Sequence, residues 1–214
     1  LGFTVADGPR IEHDWYNFEA LNMPPEHPAR DMQDTFFCAE DVVLRTHTSN
    51  VQIRIMTRQK PPVRMISHGM VFRNDEVDAS HSPVFHQVEG LWIDNQANFS
   101  DLKGVLNRFV RDLFGSQVEL RFRPSFFPFT EPSFEVDLKG PNLGKLSGKW
   151  IEIMGCGMVD PQVFSLVDLD PAEWTGFAFG IGIERVAMIL HGIDDIRHFY
   201  QNDQRFLGQF SSGT

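Results

Sequence analysis

Between Gly69 and Asp94 the chain reads as two extended arms joined by a polar loop, and this β-hairpin constrains the fold more than any other stretch. Val71 to Arg73 makes one short arm and Val84 to Ile93 the other. The second arm alternates, so Phe85, Gln87, Glu89 and Leu91 share one face while His86, Val88 and Trp92 share the opposite one. An amide and a carboxylate in line with Phe85, inside an otherwise apolar strand, are costly to bury without partners. They suit the wall of a pocket that a polar ligand fills. Arg73 on the facing arm and His81 in the loop add cationic and donor groups. The layout fits a ligand with phosphate at one end and ammonium at the other.

The rest of the pattern frames this hairpin. Leu102, Val105, Leu106, Phe109, Val110, Leu113 and Phe114 recur at i, i+3, i+4, i+7, which predicts a packing helix with Ser100 as its cap and Gly115 at its end. Phe134 to Leu138 and Trp150 to Met154 alternate as strands, and Ile183 to His191 reads as a buried helix ended by Gly192. His47, Ser49 and Gln52 are read along a strand preceding the hairpin, and the turn-rich run from Met23 to Pro28 as a loop leading to the site. Spacings typical of hairpins, without βαβ spacing, favour an α+β domain: an antiparallel sheet flanked by helices. At 214 residues one domain suffices, expected over 1–210 with residues 211–214 as a flexible end.

Two cysteines, Cys38 and Cys156, give no disulfide framework and no paired-cysteine zinc motif, so a reducing, cytoplasmic setting is expected. No apolar run is long enough to span a bilayer, and no leader is read at Leu1. A net charge of −10 argues against binding nucleic acid by bulk electrostatics.

The hairpin residues resemble the second signature motif of class II aminoacyl-tRNA synthetases, in the form found in the α subunits of phenylalanyl-tRNA synthetases. Leu1 to Arg10, with Pro9 as marker, looks like the first motif, and Gly176 to Val186, with Arg185, like the third. Segments beginning at His27, Leu44, Phe122 and Gly155 resemble further blocks of that subunit, in the same order. The resemblance covers nearly the whole chain. It implies a catalytic core whose N-terminal helical arm is absent here, paired with a β subunit in a heterotetramer of two α and two β subunits. In that family the arm and the β subunit make most tRNA contacts, which relieves the tension with the acidic charge.

The resemblance also implies roles. Arg73 becomes the clamp on the α-phosphate of ATP, Arg185 a second phosphate-facing guanidinium, His81 a contact to the outgoing phosphates and Phe85 a stacking surface for adenine. Read from the residues alone, Arg185 fits a buried ion pair equally well, His81 a solvated loop position and Phe85 ordinary core. Phe127 and Phe129, flanking Pro128, would grip the phenyl ring of L-phenylalanine edge to face, over a floor of Ala178 and Cys156. Gln87, Glu89, His47, Ser49 and Gln52 would receive its ammonium end, although His47 and Ser49 also fit solvated positions. Glu131 resembles the carboxylate associated with Mg2+, an ion that keeps much of its water shell and takes few protein ligands. The implied reaction joins L-phenylalanine to ATP and then to the terminal ribose of tRNA(Phe).

Three positions depart from the family pattern. Met70 stands where a second Arg is common, Asp75 shortens a more usual Glu by a methylene, and Gln33 sits where some members carry an aromatic. Two rivals remain at this level. One is a synthetase-like module that binds without catalysis, which would be expected to lose Arg73, Arg185 or Glu89. The other is a class II enzyme for another amino acid, against which Phe127, Phe129 and Ala178 argue.

Overall fold

The computed structural model describes residues 1–27, 35–141 and 143–210. Gln33, most of the block that begins at His27, and residues 211–214 lie outside that set. Ten strands run in chain order as β1 (Thr4–Ala6), β2 (Ile11–His13), β3 (Phe37–Ala39), β4 (Val42–Leu44), β5 (Val63–Phe72), β6 (Val84–Asp94), β7 (Glu119–Phe127), β8 (Thr130–Lys139), β9 (Ile151–Val159) and β10 (Thr175–Gly182). Seven form one sheet in the order β1-β5-β6-β10-β9-β8-β7, and β2-β4-β3 form a small second sheet. Among the described residues only β1 pairs in parallel in the large sheet, with β5; the remaining pairs are antiparallel. The expected antiparallel α+β architecture is present.

Helices cover both faces of this sheet. Helices α1 (Asp14–Asn17), α2 (Ser49–Met56) and α4 (Pro161–Leu166) contribute to one side, and α3 (Phe99–Phe114) to the other; α5 (Ile183–His191) and α6 (Gln204–Leu207) follow β10. The apolar stripe of α3, with Leu102, Leu106 and Val110 fully buried, packs on Val136, Leu138, Phe177 and Phe179 of the sheet. Each such side chain contributes roughly 1.5–3 kcal/mol when fully withdrawn from water. The α3 cap is Asn98, not Ser100. Asn98 accepts from the N–H groups of Ser100 and Asp101 while Asp101 bonds back to the Asn98 N–H, a reciprocal capping box. Asn and Ser serve this role about equally, so composition alone did not separate them.

The second core, beneath α1, α2 and α4, gathers Phe18, Met23, Val51, Ile53, Leu91, Ile93 and Phe164. The segment carrying Ser49 and Gln52 is helical here, a correction to the strand reading. On a strand, side chains three apart face opposite ways; on a helix they align. Alignment is what lets both reach one carboxylate. Among the described residues no helix is long and apolar enough to cross a membrane.

Candidate active site

Opposed residues of an antiparallel pair project from the same side, so strand register assembles the site. Val71 pairs Phe85, Gly69 pairs Gln87 and Ser67 pairs Glu89 across the hairpin. On the other side of β6, Gln87 pairs Gly182, Glu89 pairs Gly180 and Leu91 pairs Ala178. Gly180 in turn pairs Gly155, and Ala178 pairs Gly157. One face therefore carries polar residues on β6 and a floor of glycines on β10 and β9. Glycine is required there by close approach. A Cβ on Gly155 would lie 2.9 Å from the Phe127 ring, and one on Gly180 would lie 3.1 Å from Glu89 Cγ. The sequence reading missed this floor, although Gly155-Cys-Gly and Gly180-Ile-Gly carry the period-two signal.

Cys156 does not belong to it. Register places Cys156 opposite Phe179, in the core under α3, on the other side of the sheet from Ala178. Successive strand residues alternate faces, so Gly157, not Cys156, shares the Ala178 side. Burial pushes the Cys156 thiol up to about 12, which keeps it protonated and inert.

Glu89 is the polar hub. It is 5% exposed, and its carboxylate accepts from Ser49 Oγ at 2.6 Å, Gln52 Nε2 at 2.8 Å and the Thr48 N–H at 3.0 Å. Burial nevertheless pushes its pKa up, with those hydrogen bonds opposing. Ser49 and Gln52 thus act first by holding Glu89. His47 is buried as well, and among the described residues neither ring nitrogen has a well-aligned hydrogen-bond partner, although the Asn17 backbone acts on the ring. Burial, then the charges of Arg73 and Arg45, drops its pKa to about 3, so the ring is a neutral acceptor at physiological pH. The buried Oε1 of Gln87 is likewise unpaired among the described residues. Two orphan acceptors beside a carboxylate are a demand for donors that no described side chain meets.

Arg73 follows β5 directly, its N–H bonded to the Pro83 carbonyl, which continues the hairpin by one residue and keeps Arg73 on the Phe85 side. Its guanidinium lies 5.0 Å from the Phe85 ring centre, and Nε donates to the Thr46 carbonyl at 3.1 Å. Burial lowers its pKa, opposed by Asp75 and Glu89, yet no carboxylate bonds it among the described residues. Asp75 thus acts on Arg73 through its charge. Met70 points to the opposite face, and its carbonyl accepts from Arg45 Nε at 2.9 Å. Arg45 is a further missed residue. It is 2% exposed and lies where Gly69, at φ +137, leaves room: a Cβ there would meet Arg45 Nη2.

At the β7–β8 turn, Phe127 and Phe129 have centroids 6.0 Å apart and planes 11° apart. They stack on each other. Pro128 places them in a tight turn, held by Asn22 Nδ2 donating to the Pro128 carbonyl at 2.8 Å. Phe129 stands 6.3 Å from the His47 ring. Phe127, Phe129 and His47 thereby join the ring-binding side to the acceptor side.

Arg185 is exposed, and among the described residues its side chain makes one hydrogen bond, from Nε to the Glu152 carbonyl at 3.4 Å. The expectation of a desolvated cation with a buried acid fails. The first turn of α5 points Arg185 to solvent and gives the buried position to Glu184. His81 lies in an exposed turn, held by Asp78 at 3.0 Å. Glu131 is exposed at the start of β8, and among the described residues no three His, Cys, Asp or Glu gather as a metal cluster. A lone carboxylate still suits Mg2+ arriving on ATP oxygens. A cavity of about 640 Å³, lined by Trp15, Tyr16, Phe37 and neighbouring acids, sits at the small sheet and contains none of these residues.

The description "tRNA synthetases class II core domain (F)" belongs to a family model that matches residues 1–210. The chain belongs to this family. Class II relatives include the phenylalanine–tRNA ligase α subunits of Trichlorobacter lovleyi, 61% identical, Syntrophus aciditrophicus, 59%, and Moorella thermoacetica, 58%. Each match covers 98% of this chain and 64% of the relative, so the chain spans less than two thirds of their length. Two pyrrolysyl-tRNA synthetase structures from Desulfitobacterium hafniense share the class II fold. The first has a TM-score of 0.70 at 15% identity over 94% of this chain and 68% of that one. The second has 0.67 at 17% over 92% and 66%.

Proposed function

We propose that this chain is the catalytic core of the α subunit of an ATP-dependent phenylalanine–tRNA ligase. The observation that carries the reading is the joint placement, on one glycine-floored face, of a guanidinium with no carboxylate partner among the described residues, buried neutral acceptors and a pair of phenylalanine rings. Its relatives' names support the same substrate.

The substrate carboxylate attacks the α-phosphorus of ATP in line. One P–O bond forms to the carboxylate as the bond to pyrophosphate breaks, giving phenylalanyl-adenylate. Arg73, as a planar fork of donors already desolvated, stabilises charge gathering on the α-phosphoryl oxygens. Phe85 stacks on adenine, and Arg185 and His81 face the outer phosphates. Gln87 Oε1, a His47 ring nitrogen and the Glu89 carboxylate, steadied by Ser49 and Gln52, accept from the substrate ammonium. Phe127, Phe129 and Ala178 surround the phenyl ring. Mg2+, met by Glu131, would neutralise phosphate charge. The terminal ribose hydroxyl of tRNA(Phe) then attacks the activated carbonyl and releases AMP. Neither step needs a covalent nucleophile; positioning and charge stabilisation suffice.

A β subunit, in a heterotetramer of two α and two β subunits, would complete the enzyme, in the cytoplasm. Phenylalanine-dependent exchange of pyrophosphate into ATP tests the reading, with tyrosine and leucine as comparisons and β subunit added. Phenylalanine-selective exchange is expected; none with β subunit present would sink it.

A further inference from the structure

The β6–β10 ladder stops at Gln87 and Gly182 because β10 turns into α5 at Ile183. The N–H of His86 lies just past that point and has no strand to bond. The Glu184 carboxylate takes the place of the missing acceptor. Its two oxygens lie 2.9 and 3.1 Å from the His86 N–H nitrogen, and Oε1 lies 2.7 Å from His86 Nδ1. Oε1 also accepts from the Tyr200 hydroxyl at 2.6 Å, and Glu184 is 6% exposed. Just before Tyr200, the Ile196 N–H donates to the Ala79 carbonyl at 2.9 Å, in the loop that carries His81. The segment after α5 thus fastens both the loop and, through Glu184, the strand that follows it.

We infer that Glu184 is a positioning residue for the nucleotide end of the site. By fixing the His86 peptide it sets where the neighbouring Phe85 projects, and it ties that strand to the helix presenting Arg185. A single carbonyl can satisfy only the N–H; a carboxylate also takes the imidazole, which presents a proton on Nδ1. The inference rests on the ATP-dependent reading above and deepens it.

The test compares E184A, E184Q and Y200F in the complete α subunit assembled with β. In exchange assays E184A raises KM for ATP about tenfold or more, with KM for phenylalanine within about twofold, because small displacements of a positioned group are costly. E184Q retains one oxygen for the His86 N–H and recovers most of the loss. Y200F, which leaves the His86 bonds intact but unties the segment after α5, loses less than E184A. Calorimetric titration with ATP, which needs no turnover, shows the same ranking. Unchanged ATP affinity in folded E184A, or in folded E184L, which also lacks an acceptor, should E184A fail to fold, overturns the inference. So does an equal rise in both KM values, the mark of a merely structural role. A wild type that binds ATP without phenylalanine-dependent exchange defeats the proposed function, while the E184A titration still decides this inference.

Discussion

The ring of Phe127 fills the space above Gly155, so that a Cβ on that glycine would stand 2.9 Å from its Cζ. Gly155→Ala must therefore push the ring aside. Phe127 is stacked on Phe129, and the displacement passes along the pair. Overpacking of this kind costs about 1–3 kcal/mol. We expect KM for phenylalanine to rise about tenfold or more while KM for ATP holds, measured by pyrophosphate exchange. An unchanged phenylalanine KM would separate Phe127 from substrate binding.

Among the described residues Arg73 has no carboxylate partner, and its fork stays free beyond the single bond to Thr46. Lysine there keeps the charge but offers a compact point charge instead of a fork, and loses the planar contact with Phe85. Arg73→Lys should lower kcat/KM by about a hundredfold or more, the scale of a lost transition-state donor. Near-wild-type exchange by the lysine variant would show that charge alone suffices.

The ring-binding side offers Phe127, Phe129 and Ala178, none of which can hydrogen-bond a para-hydroxyl. A pocket of this kind rejects an isostere bearing an added hydroxyl by only about a hundredfold. Tyrosine should therefore support measurable exchange at high concentration. Its complete silence there would point to a polar or steric filter elsewhere.

Beneath the small sheet, Glu12 is buried with Arg54, bonded at 2.6 and 2.7 Å, and with Asn50 at 2.9 Å. Burial pushes its pKa up, but these bonds and the His13 N–H prevail and hold it below the ordinary carboxylate range. Glu12→Gln strands a mostly buried guanidinium and should destabilise the fold by about 3 kcal/mol in urea titrations. A change under about 0.5 kcal/mol, the level of surface sites, would contradict that account.

Periodicity carried the hairpin, α3 and α5, because Val84 to Ile93 and Leu102 to Phe114 each keep one period with one buried face. It failed where partners come from far along the chain. Ser49 and Gln52 sit on a helix that buries polar residues beside its apolar ones because Glu89 waits there, some 40 positions away. An apolar pattern cannot announce such a face. Cys156 was misplaced by one residue of register, enough to move a side chain through the sheet. Arg185 and Glu184 exchanged burial for the same kind of reason: the partners of Glu184 are His86 and Tyr200, and no local spacing names them.

His47 gives the pH test. Its pKa is about 3 in the folded chain against 6.5 ordinarily, so between those values the unfolded chain binds a proton that the folded one refuses. Stability from this group is full above pH 6.5 and falls as pH drops, by at most about 1.4 kcal/mol per pH unit. Glu89 opposes it: its raised pKa makes its contribution decline as pH rises above 4.5. His47→Asn removes only the first effect. The stability difference between wild type and H47N should therefore shift against wild type as pH falls from 6.5 toward 4. Denaturation at several pH values measures it. Parallel curves for the two proteins would mean that His47 accepts its proton inside the fold, and the neutral acceptor assigned to it would have to be abandoned.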